Sequence, residues 1–329
     1  MKIGIIGLGS IGQRHIRCLK DLGYKDIFAL RTAKGHWKKS PADLSYIKEF
    51  YDADEFYSQG LDGVIISNPT SLHVEALKRA LKEGLAVFVE KPISKDLKQL
   101  EKIKRLNTSR IMVGYNLRYS QIVKAMKSFL SSGKLGRIYK ADLYCGQYLP
   151  SWHKDADYRK EYYSKRSLGG GALRTLSHEI DLAGYLLGQT IELVAKVQKI
   201  SDLEIDVDDS VYMALRMKKG VIGFIELDLL NTKASRNGTI FGTKGILSYS
   251  FNPGELVFVD RSGKKKYLLQ EKHSSVDRSY HDQMKDFVGL IKKRKNKTSC
   301  NFKDGLKVMR IIAAAELSSS SKRWQKVGR

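Results

Sequence analysis

Residues 2–24, KIGIIGLGSIGQRHIRCLKDLGY, decide the fold. The run begins with an apolar strand, continues through a glycine turn, and ends with apolar residues at helical spacing. Gly23 marks a plausible helix stop. A strand, a tight turn and a helix in this order form the first half of a strand-helix-strand unit, which indicates a parallel sheet.

The glycines of this turn fit the pattern G-x-G-x-x-G. Since the pattern follows a strand and opens a helix, it has the context of a dinucleotide-binding turn. We expect Gly7 to permit the tight turn, Gly9 to let a pyrophosphate approach the backbone, and Gly12 to let helix and strand pack closely. The helix N-terminus at Ser10 and Ile11 then points its amides at the anion.

Strand and helix patterns alternate as far as residue 118, and the character of the sequence then changes. The first part predicts an NAD(P)-binding Rossmann domain, residues 1–118, built on a doubly wound parallel sheet. The longer strands after it predict an α+β domain, residues 119–329, with a large, mostly antiparallel open sheet. We expect the C-terminal helix to pack back on the first domain. A helix is also predicted over 94–107, with Ser94 as its N-cap.

The composition is that of a globular protein, with 329 residues, 42% hydrophobic, and a net charge of +24. No run is long enough to span a membrane, and the start of the chain predicts a strand in place of a signal peptide. Three scattered cysteines fit a reducing cytoplasm and no metal site. The excess charge favours anionic ligands, but the dense run 292–297, KKRKNK, lacks a neighbouring recognition helix, so nucleic-acid binding is not expected.

The ribose contact in such a domain comes at the end of the second strand. An acidic residue there would favour NAD, whereas this chain has Arg31 and Thr32, with Lys34 nearby. A guanidinium binds a 2′-phosphate through two parallel hydrogen bonds. NADP is therefore predicted, with NAD as the alternative if Arg31 only stacks on the adenine.

The segment VFVEKPISKD, residues 87–96, places a carboxylate, an amine and a proline where a buried strand ends. The carboxyl edge of a parallel sheet is where such folds bind ligands. The residue before a proline favours an extended backbone, so the Lys91 amine is held in one direction. Lys91 can donate to a substrate hydroxyl or relay its proton, and Glu90 can orient it.

The ordered segments GLGSIGQRH, SNPTSLHVE, VEKP and GYNLRY resemble the Gfo/Idh/MocA family of sugar and cyclitol oxidoreductases. The resemblance covers essentially the whole chain. It implies that Lys91 is the catalytic or substrate-binding lysine and that the Lys91–Pro92 bond is cis. It also implies that Asn68, Pro69 and His73 follow the cofactor, and that the open sheet makes homo-oligomer contacts.

A second informative segment is LGGGALRTLSHEIDLAGYLLG, residues 168–188. His178 and Asp181 lie one helical turn apart on the same helix face. The resemblance matches them to the family's H-x-x-D in the substrate-binding and oligomerisation domain, with His178 as general acid or base and both side chains at the substrate. Many relatives carry a carboxylate shortly before this histidine, where this chain has Arg174 and Thr175. Either Lys91 and His178 transfer protons alone, with Arg174 binding an acidic substrate, or dehydrogenation has been lost.

The preceding loop, 147–171, is rich in aromatic and basic residues and resembles branches of the family found with bacterial surface-sugar pathways. Long loops in compact domains are often functional. Aromatic rings pack on the apolar face of a sugar, and arginine binds carboxylate or phosphate. The substrate-binding side chains expected from this region and from the end of the sixth strand are Trp152, Tyr158, Arg159, Tyr163, Asn116 and Arg118.

The sequence thus predicts an NAD(P)-dependent oxidoreductase acting on a CH–OH group of a carbohydrate, with an anionic derivative favoured. A cytoplasmic homo-oligomer, a dimer or tetramer, is expected. The alternative from another class is a catalytically silent sensor or corepressor of the same fold. The absent carboxylate before His178 and the basic run at 292–297 are its motivation.

Overall fold

The computed structural model describes residues 1–32, 44–103, 105–153, 156–271, 276–293 and 298–328. Lys34 and residues 294–297 of the basic run lie outside the described residues.

The chain forms two compact units. The first contains Met1–Asn116, Ser167–Gly169 and Tyr280–Leu306, so a late helical segment belongs with the N-terminal sheet. The second contains Leu117–Arg166, Gly170–Ser279 and Lys307–Arg329. The division of the chain into two domains at residue 118 stays a prediction.

Six strands of the described residues form a parallel sheet in the first unit, in the order β3-β2-β1-β4-β5-β6. This is the doubly wound order of dinucleotide-binding folds, which confirms the predicted class. The central strands are buried on both faces and have the continuous apolar sequences that such burial requires. The strands are β1 Ile3–Ile6, β2 Ile27–Leu30, β3 Lys48–Phe50, β4 Gly63–Ile66, β5 Ala86–Val89 and β6 Ile111–Val113.

Helices of the first unit bury apolar faces against this sheet. The late helix places Phe287 with its ring centroid 5.8 Å from that of Phe88 on β5. The helices are α1 Ser10–Asp21, α2 Ala53–Tyr57, α3 His73–Lys82, α4 Leu97–Glu101 and, after the second sheet, α8 Val276–Ile291.

The second unit is built on a nine-stranded sheet, in the order β14-β13-β12-β11-β7-β10-β9-β8-β15. Only β7 and β10 pair in parallel among these described strands, so the mostly antiparallel sheet is confirmed. Its strands are β7 Ile138–Gly146, β8 Thr190–Gln198, β9 Ser210–Met217, β10 Ile222–Asp228, β11 Ser235–Gly242, β12 Gly245–Phe251, β13 Gly254–Asp260, β14 Lys265–Glu271 and β15 Gln325–Lys326.

One face of this sheet packs against helices of the same unit. Along β7, β9 and β10, buried residues on that face alternate with more exposed residues on the other face. Helix α7 packs on β7 and β10, and α5 packs on β13 and β14. The helices are α5 Gln121–Ser131, α6 Ala172–Thr175, α7 His178–Leu187 and α9 Phe302–Ser321.

The serine run near the C-terminus supports the part of β8 that extends beyond the two-residue edge strand β15. The hydroxyl of Ser318 accepts from the Ala195 amide at 2.9 Å, and that of Ser319 accepts from the Val197 amide at 2.9 Å. These hydroxyls satisfy backbone donors that an edge strand would otherwise leave open to pairing with another chain. The opposite edge, β14, begins with Lys265 and Lys266, whose charges oppose such pairing.

The predicted helix at 94–107 is a shorter element. It begins after Asp96, whose carboxylate accepts from the Gln99 amide at 2.9 Å, and the Ser94 hydroxyl donates to the Asp96 carbonyl. The prediction of Ser94 as N-cap was wrong because Asp96 lies nearer the first turn and offers a stronger acceptor.

Candidate active site

The glycine turn has the geometry that its motif predicts. Gly7 has a φ of +95°, which favours glycine, and a Cβ there would lie 2.7 Å from the Asn68 amide nitrogen. A Cβ on Gly12 would lie 2.3 Å from the Gly7 carbonyl oxygen, whereas one on Gly9 would have nothing within 4 Å. Gly7 and Gly12 are therefore required by packing, and Gly9 faces the open space in which a ligand can approach the backbone.

The strands of the parallel sheet end side by side. Ile6 pairs with Ile66, and Ile66 pairs with Val89, so β1, β4 and β5 finish in register. The residues that follow them are the glycine turn, the segment Ser67-Asn68-Pro69 and the turn Glu90-Lys91-Pro92. The register thus brings three of the predicted segments to one edge of the sheet, where doubly wound folds bind ligands.

The residues at this edge fit a dinucleotide. Helix α1 begins after Gly9 without a side-chain cap, which leaves the first amides, at Ser10 and Ile11, without a capping side chain. Ser10 is exposed. The side-chain oxygen of Asn68 is buried and has no hydrogen-bond partner among the described residues, as expected of an acceptor that meets a ligand.

Arg31, at the end of β2, is held by a carboxylate that the sequence reasoning missed. Its Nη1 donates to Glu49 Oε1 at 2.9 Å and Oε2 at 2.8 Å, and Glu49 lies on the adjacent strand β3. The Tyr51 hydroxyl also donates to Glu49 at 3.0 Å, and this acceptor raises the pKa of the exposed Tyr51. Thr32, the next residue after Arg31, is exposed. The buried Arg31, which was predicted to meet a 2′-phosphate, therefore already has an anionic partner, and that partner is half-buried.

The turn at Glu90, Lys91 and Pro92 directly follows β5, and its Lys91–Pro92 bond is cis, as the resemblance implies. Glu90 is buried; its Oε1 lies 2.7 Å from Nε2 of His15, and its Oε2 accepts from the Lys91 amide at 3.1 Å. Burial raises the pKa of Glu90, but the hydrogen bond and charge of His15 outweigh it, so the pKa lies below its usual value. Glu90 is therefore an ionised acceptor. Lys91 is partly exposed.

His73 is buried and binds backbone. Its Nδ1 lies 3.0 Å from the Pro92 carbonyl oxygen, and its Nε2 lies 3.0 Å from that of Asn68. Burial lowers the pKa of His73, against the opposing effect of the two carbonyls. Its ring thus connects the segment after β4 with the turn after β5.

In the second unit, His178 is the first residue of helix α7 and is buried. Asp181, one turn further on, forms a buried pair with Arg118: Nε donates to Oδ2 at 2.8 Å, and Nη2 donates to Oδ1 at 2.5 Å. The Arg118 guanidinium also lies 4.6 Å from the centroid of the Tyr185 ring. Two residues predicted to bind substrate are thus each other's partners, and they fix the helix that carries His178.

A second buried pair fixes the same helix, and the sequence reasoning missed it. Glu179 Oε1 accepts from Arg236 Nε at 2.7 Å, and Arg236 Nη2 lies 3.2 Å from Cys145 Sγ. Although burial lowers the pKa of Arg236, the Glu179 carboxylate raises it more, above its usual value. Arg236 on β11 and Cys145 on β7 are cross-strand neighbours, so this pair ties α7 to the sheet.

The loop and short helix before His178 pack closely on their own unit. A Cβ on Gly170 would lie 2.3 Å from the Tyr163 carbonyl oxygen, and one on Gly171 would lie 2.2 Å from Asp208 Oδ1. Asp208 Oδ2 accepts from the Leu173 amide at 2.8 Å. Arg174 forms an ion pair at 2.7 Å with Glu316 of α9. These glycines are therefore required by close approach to other protein atoms.

The aromatic loop forms a cluster. The ring of Trp152 lies 5.0 Å from that of Tyr163, and both the Trp152 indole nitrogen and the Tyr163 hydroxyl are buried without a partner among the described residues. Arg159 is exposed and paired with Asp157 and Glu204. The cluster offers two unsatisfied polar groups beside aromatic surface, which suits a sugar hydroxyl.

The remaining predicted residues are Tyr158 and Asn116. The Tyr158 hydroxyl accepts from the Glu204 amide at 3.4 Å, and Asn116 is buried at the start of a short 3₁₀ turn, Asn116–Tyr119. Within the part of the chain that the structure describes, no three metal-ligating side chains group together, and no helix is long and apolar enough to cross a membrane.

The parallel sheet, its strand order and the glycine turn define a dinucleotide-binding protein of the Rossmann class. A family model described as an oxidoreductase family with an NAD-binding Rossmann fold matches residues 1–115, and one described as the GFO/IDH/MocA C-terminal domain matches residues 123–248. Together the two models span most of the chain. The chain belongs to the Gfo/Idh/MocA family of NAD-binding oxidoreductases.

Individual relatives agree with this assignment. The chain is 27% identical to myo-inositol 2-dehydrogenase of Thermotoga maritima over 99% of this chain and 98% of the relative. It is 24% identical to inositol 2-dehydrogenase of Rhizobium meliloti, over 98% of both chains. Among solved structures, levoglucosan dehydrogenase in complex with NADH shares the fold with a TM-score of 0.86 at 20% identity, covering 100% of this chain and 99% of that one.

Proposed function

We propose that this protein is an NAD(P)-dependent oxidoreductase that acts on a CH–OH group of a carbohydrate or cyclitol derivative. The observation that carries the proposal is the register of β1, β4 and β5, which places the open Gly9 turn, the unpartnered Asn68 oxygen and the Lys91 turn at one sheet edge. The names of the relatives, which are inositol dehydrogenases, support this substrate class.

The nicotinamide, when bound, accepts or supplies the hydride. In this proposal Lys91 binds the reacting hydroxyl oxygen through its ammonium group and relays the proton. His178 accepts the hydroxyl proton at an imidazole nitrogen in oxidation and returns it in reduction. The Glu179 and Asp181 ion pairs keep His178 in place.

The segment Asn68-Pro69 contacts the dinucleotide through the Asn68 side chain, and His73 supports that segment through the Asn68 carbonyl. Glu90 acts beside the cofactor through the backbone of Lys91. Gly7, Gly9 and Gly12 shape the turn, and the amides of Ser10 and Ile11 bind the pyrophosphate.

The cofactor preference depends on Arg31 and Glu49. Arg31 is the basis for NADP, but Glu49 neutralises Arg31 and adds a carboxylate that would repel a 2′-phosphate, so this pair favours NAD. Fluorescence titration with NADH and NADPH of the wild type and Glu49→Gln separates the two. If Arg31 binds the 2′-phosphate of NADPH once Glu49 no longer pairs with it, the Glu49→Gln variant gains NADPH affinity. Equal affinities for both nucleotides in both proteins would remove Arg31 from cofactor selection.

We further propose that the carbohydrate substrate is anionic. This proposal is supported by the net charge of +24, and by a protein of the same fold, the WlbA dehydrogenase of Bordetella pertussis, whose structure was solved in complex with NADH and UDP-GlcNAcA. Against it, the basic side chains predicted to bind the anion are each ion-paired within the protein, namely Arg118, Arg159 and Arg174. The test is a screen of neutral sugars, each compared with its uronic acid and its phosphate, with turnover followed by the change in nicotinamide absorbance. Faster turnover of the acids or phosphates would support an anionic substrate, and faster turnover of the neutral sugars would reject it.

The second candidate is the catalytically silent sensor of the same fold. It is favoured by Arg174 and Thr175, which stand where relatives carry a carboxylate. Lys91→Ala separates the candidates, since an enzyme loses turnover and keeps cofactor binding, whereas a sensor keeps both its ligand binding and its partner. Lys91→Arg is the matched control for charge.

A homo-oligomer, a dimer or tetramer, is part of the proposal. The exposed face of the nine-stranded sheet carries large apolar side chains that a second copy would cover. Sedimentation of the wild type and of Phe224→Lys tests this, and an unchanged mass would reject this face as the contact. These exposed side chains are Tyr212, Ile222 and Phe224.

A cytoplasmic location is also proposed, because Cys18, Cys145 and Cys300 are buried and form no disulfide bond with one another. Fractionation of cells that express the protein tests it. Recovery outside the cytoplasm would reject it.

A further inference from the structure

Lys91 lies between two residues that are each contacted by a buried histidine. His15 Nε2 is 2.7 Å from the Glu90 carboxylate on its N-terminal side. His73 Nδ1 is 3.0 Å from the Pro92 carbonyl oxygen on its C-terminal side. Both rings are at most 1% exposed, so neither contact is in competition with bulk water.

The His15 contact is a hydrogen bond with a defined direction. Because the Glu90 carboxylate is ionised, the His15 Nε2–H must donate to it. The other ring nitrogen of His15 is buried without a partner among the described residues. The position of the ring therefore gives the Glu90 carboxylate a hydrogen-bond donor, although it leaves His15 Nδ1 without an acceptor or donor among the described residues. Its edge contacts with Phe88 and Tyr280, at centroid distances of 5.0 and 6.0 Å, keep it there.

The carboxylate of Glu90 passes this constraint to Lys91. Its second oxygen accepts from the Lys91 amide at 3.1 Å, and the Glu90 amide donates to the Ile66 carbonyl at 2.9 Å. A Cβ on Gly114 would lie 2.9 Å from Glu90 Oε2, so the carboxylate packs against the neighbouring strand end at a position where only glycine leaves room for it. His15, on the helix of the nucleotide turn, thereby fixes the backbone on one side of Lys91.

The His73 contact constrains the other side. A neutral imidazole carries one N–H, so it donates to either the Pro92 or the Asn68 carbonyl, and only the imidazolium donates to both. Fixing Pro92 matters because the residue before a proline already has a restricted backbone. With residues 90 and 92 both held, the remaining freedom of the amine lies in the Lys91 side chain.

We propose that His15 and His73 are positioning residues that hold Lys91 for its reaction, His15 through Glu90 and His73 through the Pro92 carbonyl. The inference rests on the proposed role of Lys91. Displacing a reacting group by about 1 Å can lower the rate by about 100-fold, so two residues that never touch substrate can still control turnover.

The test uses the different reach of asparagine and glutamine. An asparagine amide nitrogen occupies the place of Nδ1 of histidine, and a glutamine amide nitrogen that of Nε2. His15→Gln and His73→Asn should therefore keep the donor that the proposal requires. His15→Asn and His73→Gln should lose it. The two histidines thus give opposite rankings for the same pair of substitutions.

Two measurements are made on each full-length variant. The first is the acylation rate of the Lys91 amine, followed by mass spectrometry in the absence of any substrate. The second is the kcat and KM for the best carbohydrate from the screen, with the NADH dissociation constant and the thermal midpoint as controls. We expect His15→Asn and His73→Gln to lower kcat about 10- to 100-fold and to raise the acylation rate, and their partners to stay near the wild type.

The outcomes distinguish the positioning role of the two histidines from the proposed role of Lys91 itself. The opposite rankings support positioning, since a purely structural role would make both histidines rank the substitutions alike and follow the thermal midpoint. Equal effects of Asn and Gln at either position would overturn the inference for that histidine. If Lys91→Ala keeps full turnover, the proposed role of Lys91 fails, while the acylation rates still decide whether the histidines hold it.

Discussion

The Lys91 turn and the start of helix α7 carry the two side chains proposed to react, and they hold them by different interactions. Around Lys91, the supporting contacts are a hydrogen bond from His15 to a carboxylate and the contacts of His73 with two backbone carbonyls, to one of which a neutral ring donates. Beside His178, they are two buried ion pairs, Glu179 with Arg236 and Asp181 with Arg118.

The difference has an energetic consequence. A hydrogen bond contributes about 0.5–1.5 kcal/mol net, and about 1.5–3 kcal/mol when one group is charged. Breaking a buried ion pair costs about 3–5 kcal/mol, because the remaining charge is left without a partner. Changes around α7 should therefore act first on stability, and changes around Lys91 first on catalysis.

The largest effect is expected at the reactive histidine itself. His178→Gln should lower kcat about 100- to 10,000-fold, because it removes the proton acceptor. NADH binding should be unchanged. The wild-type rate of alcohol oxidation should fall as acid protonates the imidazole, and the variant should lack this dependence. A variant with the wild-type pH profile would remove His178 from proton transfer.

Breaking the ion pair of Glu179 should act on stability. Arg236→Met leaves the buried Glu179 carboxylate uncompensated and should lower the free energy of unfolding by about 3–5 kcal/mol, measured with urea. The matched control is Arg216→Met, which breaks the exposed pair with Glu192 at 2.6 Å and should change stability little. Equal losses in both variants would contradict the contrast between the two regions.

The glycine turn provides a comparison within one motif. Gly12→Ala should lower stability by about 1–3 kcal/mol, because its Cβ would lie 2.3 Å from the Gly7 carbonyl oxygen. Gly9→Ala meets no protein atom within 4 Å and has a φ of −71° that alanine adopts, so it should fold normally and weaken NADH binding. Normal NADH affinity in Gly9→Ala would place the pyrophosphate elsewhere.

The smallest effect concerns pH. Since the folded-state pKa of Glu90 lies below its usual value of 4.5, its contribution to stability is present above that pH and is lost as pH falls through the lower, folded-state pKa. Glu90→Gln should therefore make the free energy of unfolding less dependent on pH in this acid range. An unchanged pH dependence would mean that His15 does not stabilise the carboxylate.

The sequence predicts those structural features that depend on residues close together in the chain. The turn from Gly7 to Gly12 is local, and the strand patterns along the chain give the doubly wound class and the mostly antiparallel second sheet. The Lys91 turn and its cis bond follow from the family resemblance.

Partners from distant segments could not be predicted in the same way. His15 and Glu90 are 75 residues apart, Glu179 and Arg236 are 57 apart, and no periodic pattern links such positions. Arg31 was interpreted as a phosphate ligand because Glu49 belongs to a strand whose pairing with β2 the sequence does not specify. The positions of ion-pair partners are set by sheet register, which is a tertiary property.

The central claim is that the glycine turn binds a nicotinamide dinucleotide and that turnover of a bound carbohydrate requires Lys91. The most direct measurement is NADH fluorescence titration of the wild type and Lys91→Ala, followed by turnover of the same two samples on the best sugar. We predict similar dissociation constants and loss of turnover in the variant alone. Absence of NADH binding, or equal turnover by both proteins, would contradict the account.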